Sequence, residues 1–316
     1  MKIICIGEAL IDFTPYQKEG TYIRNFGGAP ANVAVTASKL GQNAWFIGKV
    51  GNDLFGEYIV KELEAQRVDV RYVALTDHAC TTLSFVHLSK EGERSFSFIR
   101  KPGADLLLSE EDIPDDYCRQ GDIVHFGSAQ LMSGEGRRAI RKAVRIAREC
   151  KAVVSFDPNY RALQWASEEE AKSRISEFMK YADIVKVSDE EVTWLAGDGD
   201  AKQALKRLFS KSNALSVMTC GERGAYYISP EFSGYLSGYP AKVIDTTGAG
   251  DAFWGTFLSV LIQNGCTDGR WPEEVIRQAV RFGNAAGALC VGKKGAIIPD
   301  MSRGALEKIV GQKGYG

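Results

Sequence analysis

The chain has 316 residues, 45% of them hydrophobic and 25% charged, an ordinary globular composition with material for a large core. Its net charge of −1 provides no overall field that would select nucleic acid or an anionic membrane. Seven dispersed cysteines with no C-x-x-C pair, and three histidines at no ligand spacing, argue for reduced thiols, a cytoplasmic setting and no zinc site.

In chain order, the N-terminal MKIICIGEAL lacks the long apolar core of a signal peptide. KIICIG (2–7) reads as a buried strand, and residues 13–26 as short extended pieces. PANVAVTASKL (30–40) reads as a helix, with proline in its first turn and Gly41 at its C-terminal end. AWFIGKVG reads as a strand and LFGEYIVKELEAQ as a helix. Residues 81–100 read as two strands around KEGE, with Phe96 and Phe98 alternating with Ser95 and Ser97. With 13–26 they would make a small antiparallel flap; two unrelated hairpins fit the pattern nearly as well.

Residues 136–150 place Ile140, Ala143, Val144 and Ala147 on one helical face and Arg137, Arg141, Arg145 and Arg148 on the other. That is a solvated amphipathic helix rather than a nucleic-acid patch. DIVHFG (122–127), AVVSFD (152–157), DIVKVS (183–188) and LSVMTC (215–220) are short β-rich runs with helical segments between them. The alternation predicts a largely parallel sheet covered on both faces. The longest apolar stretch, around 252–262, is too short to span a bilayer.

Two glycine-rich turns carry the chemistry. In DTTGAGDAF (245–253), Gly248 and Gly250 let backbone N–H groups converge at a helix start, where partial positive charge favours phosphate. Asp251 beside that hole would repel a static phosphate. It suits phosphoryl transfer, where the acceptor hydroxyl must lose its proton as the γ-phosphate arrives. A helix cap is the alternative for an isolated Asp; two threonines, two glycines and a second Asp exceed that need. In FGGAPANVA (26–34), Gly27 and Gly28 permit close approach of a ligand, and Asn32 offers a donor and an acceptor. Asp12 follows the first strand, where open α/β sheets bind ligands.

Together, GGAPAN (27–32) and DTTGAGD (245–251) resemble the paired motifs of the ribokinase-like (PfkB-type) carbohydrate kinases. The resemblance spans essentially the whole chain. It implies one domain over 1–316: a three-layer α/β/α sandwich with a mostly parallel central sheet and a small antiparallel β lid. The lid inserts would lie at about 13–26 and 71–103. It implies a kinase using ATP and Mg²⁺, with Asp251 as catalytic base and Gly248, Ala249 and Gly250 stabilising the transferring group. Asp12, Gly27, Gly28 and Asn32 would hold the sugar. Arg100 and Arg161 could contact sugar or phosphate, or be plain salt-bridge residues.

TCGERGAYY (219–227) is similar to the family's nucleotide loop, implicating Thr219, Gly221 and Gly224. In KVSDEE (186–191), the resemblance gives Lys186, Ser188 and Glu191 to the nucleotide, with Glu191 near magnesium through water. Ser188 stands where the family has Asn. Asn284 would flank the adenine, and Asp245, Thr247 and residues 291–295 would hold a monovalent cation such as K⁺. GEALIDFTP, FIRKPGAD and DPNYRALQW are similar to fructokinases, which implies fructose as acceptor; 2-keto-3-deoxygluconate, ribose or a riboside remain open, as does an inactive sugar-binding regulator. The lid's apolar faces would either pair two copies or cover the chain's own site.

Overall fold

Four residues show why the fold is layered. Ile3 and Cys5 are buried in one hydrophobic cluster, while Ile4 and Ile6 are buried in another. Successive strand side chains point to opposite faces, so a strand that is apolar throughout needs cover on both sides.

The computed structural model describes residues 1–16, 20–88, 94–100, 102–197, 199–209 and 214–311. Its first half runs β1 (Ile3–Ile6), β2 (Leu10–Pro15), β3 (Tyr22–Gly27), α1 (Ala29–Lys39), β4 (Ala44–Gly51), α2 (Leu54–Ala65), β5 (Asp69–Thr76), β6 (Leu83–Leu88), β7 (Arg94–Ile99), β8 (Ile123–Gly127) and α3 (Gly134–Glu149). Then come β9 (Val153–Asp157), α4 (Glu168–Met179), β10 (Ile184–Ser188), α5 (Asp189–Ala196), α6 (Ala201–Phe209), β11 (Leu215–Thr219), β12 (Gly224–Ile228), β13 (Ser233–Ser237), α7 (Ala249–Gln263), α8 (Glu273–Val291) and α9 (Arg303–Val310).

Among the described residues, nine strands form the main sheet in the order β13-β12-β11-β10-β9-β8-β1-β4-β5. Neighbours are parallel from β5 to β11, and β12 and β13 add an antiparallel edge. Helices α1, α2, α7, α8 and α9 contribute to one buried cluster and α3 to α6 to the other, giving the expected three layers. The chain leaves β1 on one side to β4 and returns on the other as β8. That reversal is where open α/β sheets bind ligands, outside the carboxyl ends of the strands.

On α3 the apolar stripe is buried, and Arg141 and Arg145 pair with Glu177 and Glu149 at 2.5 and 2.9 Å on the outer face. Helix α7 is buried almost along its whole length. Trp254 stacks on Phe257 with ring centroids 4.8 Å apart and donates to Ser155 Oγ at 3.0 Å. A Cβ at Gly255 would lie 2.7 Å from Thr36 Cβ and 2.8 Å from the Val33 carbonyl oxygen. Glycine therefore lets α7 lie directly on α1, bringing the starts of both helices together.

The lid is a second sheet in the order β3-β2-β6-β7. Two antiparallel hairpins, β2–β3 and β6–β7, are joined by a parallel β2–β6 pair. Phe13 and Phe85 are direct partners across that seam and stack with centroids 4.8 Å apart. Ser97 is exposed and Phe98 partly covered, as alternation predicts; the KEGE turn and the Phe96 and Ser95 side chains lie outside the described residues. The insert bounds differ from expectation. The first lid hairpin starts at Leu10 and ends at Gly27 rather than spanning about 13–26, and within the expected second insert at 71–103, β5 belongs to the main sheet, paired parallel with β4. The α2 crossover returns the chain to the sheet's edge, and an edge strand as half-covered as DVRYVALT reads like lid.

Candidate active site

The site is built around the start of α7. Gly248 takes a left-handed conformation, φ 76°, which side chains other than glycine rarely tolerate. Asp245 fixes the turn before it: one carboxylate oxygen accepts from Thr247 N at 2.7 Å and the other from Gly295 N at 3.0 Å. The first helical bond runs from Ala252 N to the Gly248 carbonyl at 2.8 Å. The N–H groups of Gly250 and Asp251 lie ahead of it and have no intrahelical acceptor. Ala249, expected as an equal donor, spends its N–H on a long 3.3 Å contact to the Thr246 carbonyl.

Asp251 does not cap the helix. It is buried and accepts a 2.8 Å hydrogen bond from Asn32 Nδ2. Burial raises its pKa; the Asn32 bond, Lys186 and Arg161 pull it down, and Asp157 pushes it up. The parallel register sets Val185 beside Phe156, so the next residues, Lys186 and Asp157, face each other as a buried ion pair at 2.6 Å. Burial works against the Lys186 charge, but Asp157, Glu191 and Asp251 outweigh it and raise its pKa. A cation is thereby held beside the helix start: a Cβ on Gly250 would lie 3.2 Å from Lys186 Nζ.

Two cavities meet here. The first, ≈ 580 Å³, is walled by Glu8, Asp12, Gly28, Asn32, Ser84 and Arg161 among others, and reaches Lys186, Gly250 and Asp251. Asp12 lies on lid strand β2, which follows β1. Burial lifts its pKa to about 6, against the pull of Ser84 and Arg161 and with the push of Asp245 and Asp251. Gly27 ends β3 opposite Leu10. Gly28, at φ 116°, packs so closely on Glu8 that a Cβ would lie 2.3 Å from the Glu8 carbonyl oxygen. Glu8 Oε1 accepts from Ala29 N at 3.0 Å, and burial raises its pKa to about 7.

Of the two readings open for Arg100, the structure shows the ion pair rather than a place on the cavity wall. Arg100 lies outside the cavity wall, and its guanidinium is paired with the buried Asp105 carboxylate. A charge at that depth requires a counter-ion, and Asp105 supplies it.

The second cavity, ≈ 300 Å³, is lined by Thr219, Gly221, Gly224 and Asn284, with Phe253, Val243 and Ala288 as apolar wall. Asn284 Nδ2 donates to the Leu236 and Ser237 carbonyls, both at 3.1 Å. Thr246 and Gly250 line both cavities. Ser188 and Glu191 line neither. Ser188 caps α5 by accepting from Glu191 N at 3.1 Å, while Glu191 accepts from Ser188 N and Tyr160 N, both at 2.7 Å. Among the described residues, no group of three or more His, Cys, Asp or Glu side chains could hold a metal ion.

Sequence reasoning missed Glu8 and Asp157. Each is an acidic residue at or just beyond the carboxyl end of a fully buried strand, β1 and β9. That placement was the available signal.

The profile of the pfkB family carbohydrate kinases matches residues 1–303. Fructokinase-2 of Oryza sativa subsp. japonica is 39% identical over 302 residues, covering 93% of this chain and 89% of that protein. Fructokinase from Vibrio cholerae O395, solved with fructose, ADP and calcium ion, aligns with a TM-score of 0.89 at 33% identity, covering 98% of both chains. Aminoimidazole riboside kinase from Salmonella enterica, complexed with aminoimidazole riboside and an ATP analog, gives 0.88 at 30%, covering 98% of this chain and 100% of that one.

A carboxyl titration by ¹³C NMR is expected to place Asp12 near pH 6, well above an ordinary Asp at about 3.9. Arg161→Ala removes a cation that favours the carboxylate, so the midpoint should move further up. A wild-type midpoint at or below about 4, or a downward move in the variant, would contradict the electrostatics described.

Proposed function

This chain belongs to the pfkB family of carbohydrate kinases, and we propose that it transfers the γ-phosphoryl group of ATP to the 6-hydroxyl of D-fructose. The observation that carries this reading is the meeting of two cavities at Gly250, with buried Asp251 facing the first.

Fructose takes the first cavity, gripped by Asp12, Asn32 and the Gly27–Gly28 turn, with Arg161 at the rim. ATP takes the second. Its base lies against Asn284 and the apolar wall, and Thr219, Gly221 and Gly224 give its ribose and phosphates close access to backbone. Asp251 accepts the proton of the attacking hydroxyl. Its raised pKa makes it a better base than an ordinary carboxylate. The N–H groups of Gly250 and Asp251, with Lys186, face the charge that develops on the phosphoryl group.

Bound Mg²⁺ would neutralise the ATP phosphates. Glu191 fits as an acceptor for its waters, because each carboxylate oxygen has one backbone donor and lone pairs to spare. Ser188 serves this arrangement indirectly by holding Glu191. The oxygens around Asp245, Thr247 and 291–295 suit a monovalent cation beside the anion hole.

The charges in the first cavity favour a neutral acceptor over 2-keto-3-deoxygluconate. Glu8, Asp12 and Asp251 all border it, Lys186 is paired with Asp157, and Arg100 with Asp105. An acidic sugar would meet these acidic groups, answered by Arg161 and by a Lys186 whose charge Asp157 already offsets. The exposed Tyr22, Ile23 and Ile99 on the lid suit pairing with a second copy, which a monomeric sedimentation coefficient at assay concentration would refute. Seven free thiols fit a cytoplasmic location.

Asp251→Asn is expected to lower kcat by roughly 10²–10⁴-fold while ATP affinity, read by calorimetry, stays within about twofold. Near-wild-type turnover would remove Asp251 from the role of base. In a panel of sugars compared by kcat/KM, fructose should lead. An acidic sugar in first place would overturn the acceptor assignment, and sugar binding with no phosphorylated product would favour an inactive regulator.

A further inference from the structure

Lid hairpin β6–β7 reaches the first cavity through Ser84 and Phe98, which face each other across the two strands. Thr82 and Arg100 each lie one residue beyond those strands, at the base of the lid.

At that base a single carboxylate gathers both ends of the hairpin. Thr82 Oγ1 donates to Asp105 Oδ1 at 2.5 Å, and Arg100 reaches the same carboxylate through Nε at 3.4 Å and through Nη2. Asp105 is 1% exposed, so its charge depends on these partners. The backbone closes at the same level: Ala104 N donates to the Cys80 carbonyl at 2.9 Å, and Cys80 and Gly103 form a parallel bridge. A Cβ on Gly103 would lie 2.2 Å from Thr82 Oγ1 and 2.7 Å from Asp105 Oδ1, so the contact requires glycine there. Asp53 ties this point to the main body. It caps α2 and accepts from Thr81 N and Thr81 Oγ1, each at 2.8 Å.

We propose that Arg100, Asp105 and Thr82 are positioning residues for the acceptor, a buried staple that sets Ser84 and Phe98 against the cavity without touching the sugar. The inference rests on the first cavity being the acceptor site. It gives Arg100 a role in sugar affinity, but through the lid. It also gives Asp105 and Thr82 the same role, which direct contact by Arg100 would not.

The test is a double-mutant cycle on Arg100→Ala and Asp105→Ala, with KM for sugar, KM for ATP and kcat measured separately. The acceptor used is whichever sugar leads the panel, so a wrong acceptor assignment does not spoil it. Each single variant is expected to raise the sugar KM roughly tenfold or more, with the ATP KM within about twofold. The double variant should be little worse than either single one, because each substitution dismantles the same staple. Thr82→Val, a milder change, should raise the sugar KM in the same direction and serves if the charge variants fail to fold. Additive effects of the two substitutions, an unchanged sugar KM in Thr82→Val, or an equal rise in the ATP KM would overturn the proposal.

Discussion

A carboxylate buried at the start of an apolar helix is the constraint on which this structure turns. Asp251 has lost most of its water, and something must answer its charge or the charge will not persist. The helix end itself helps, since an acidic residue in the first turn meets unpaired N–H groups. Asn32 adds a direct hydrogen bond from a residue 219 positions earlier in the chain. Lys186 and Arg161 add positive charge from two further segments. Each of these requires a particular packing: Asn32 reaches Asp251 because α1 and α7 cross closely at Gly255, and Lys186 is held upright by Asp157 across neighbouring strands. The glycine-rich turns, the buried helix and the ion pair are thus parts of one solution.

The same requirement shapes the pocket beside it. Glu8 and Asp12 share Asp251's cavity, and burial pushes both toward neutral-range pKa values, about 7 and about 6. Three acidic groups in one cleft repel one another and repel anions. They accept hydroxyl protons well. That surface suits a polyol without charge better than a sugar acid. The arginine that could have reversed this balance, Arg100, is already neutralised below the lid by Asp105.

Much of this was legible in the sequence because the signals were local. The buried parallel strands appear as unbroken apolar runs, and the two glycine-rich turns as residue types whose geometry has few other uses. The second lid hairpin could be read from alternation at 95–98, whereas 13–26 showed only short extended pieces. What could not be read was pairwise and distant. Nothing in DVRYVALT distinguishes an edge strand of the main sheet from a lid strand. No spacing links Arg100 to Asp105 rather than to a ligand. Ser188 and Glu191 form a capping box that S-x-x-E patterns announce. Glu8 and Asp157 are single acids at strand ends, and their roles show only in distant partners: Ala29 N for Glu8 and, through the strand register, Lys186 for Asp157.

The decisive question is where the phosphoryl group goes when both cavities are filled. The direct measurement is to incubate the protein with γ-labelled ATP and fructose, separate the products, and locate the phosphate by ³¹P–¹H correlation. Label on fructose, with phosphorus coupled to the C6 methylene protons, is the expected result. Label on another carbon, or label found only in inorganic phosphate while fructose is present, would contradict it.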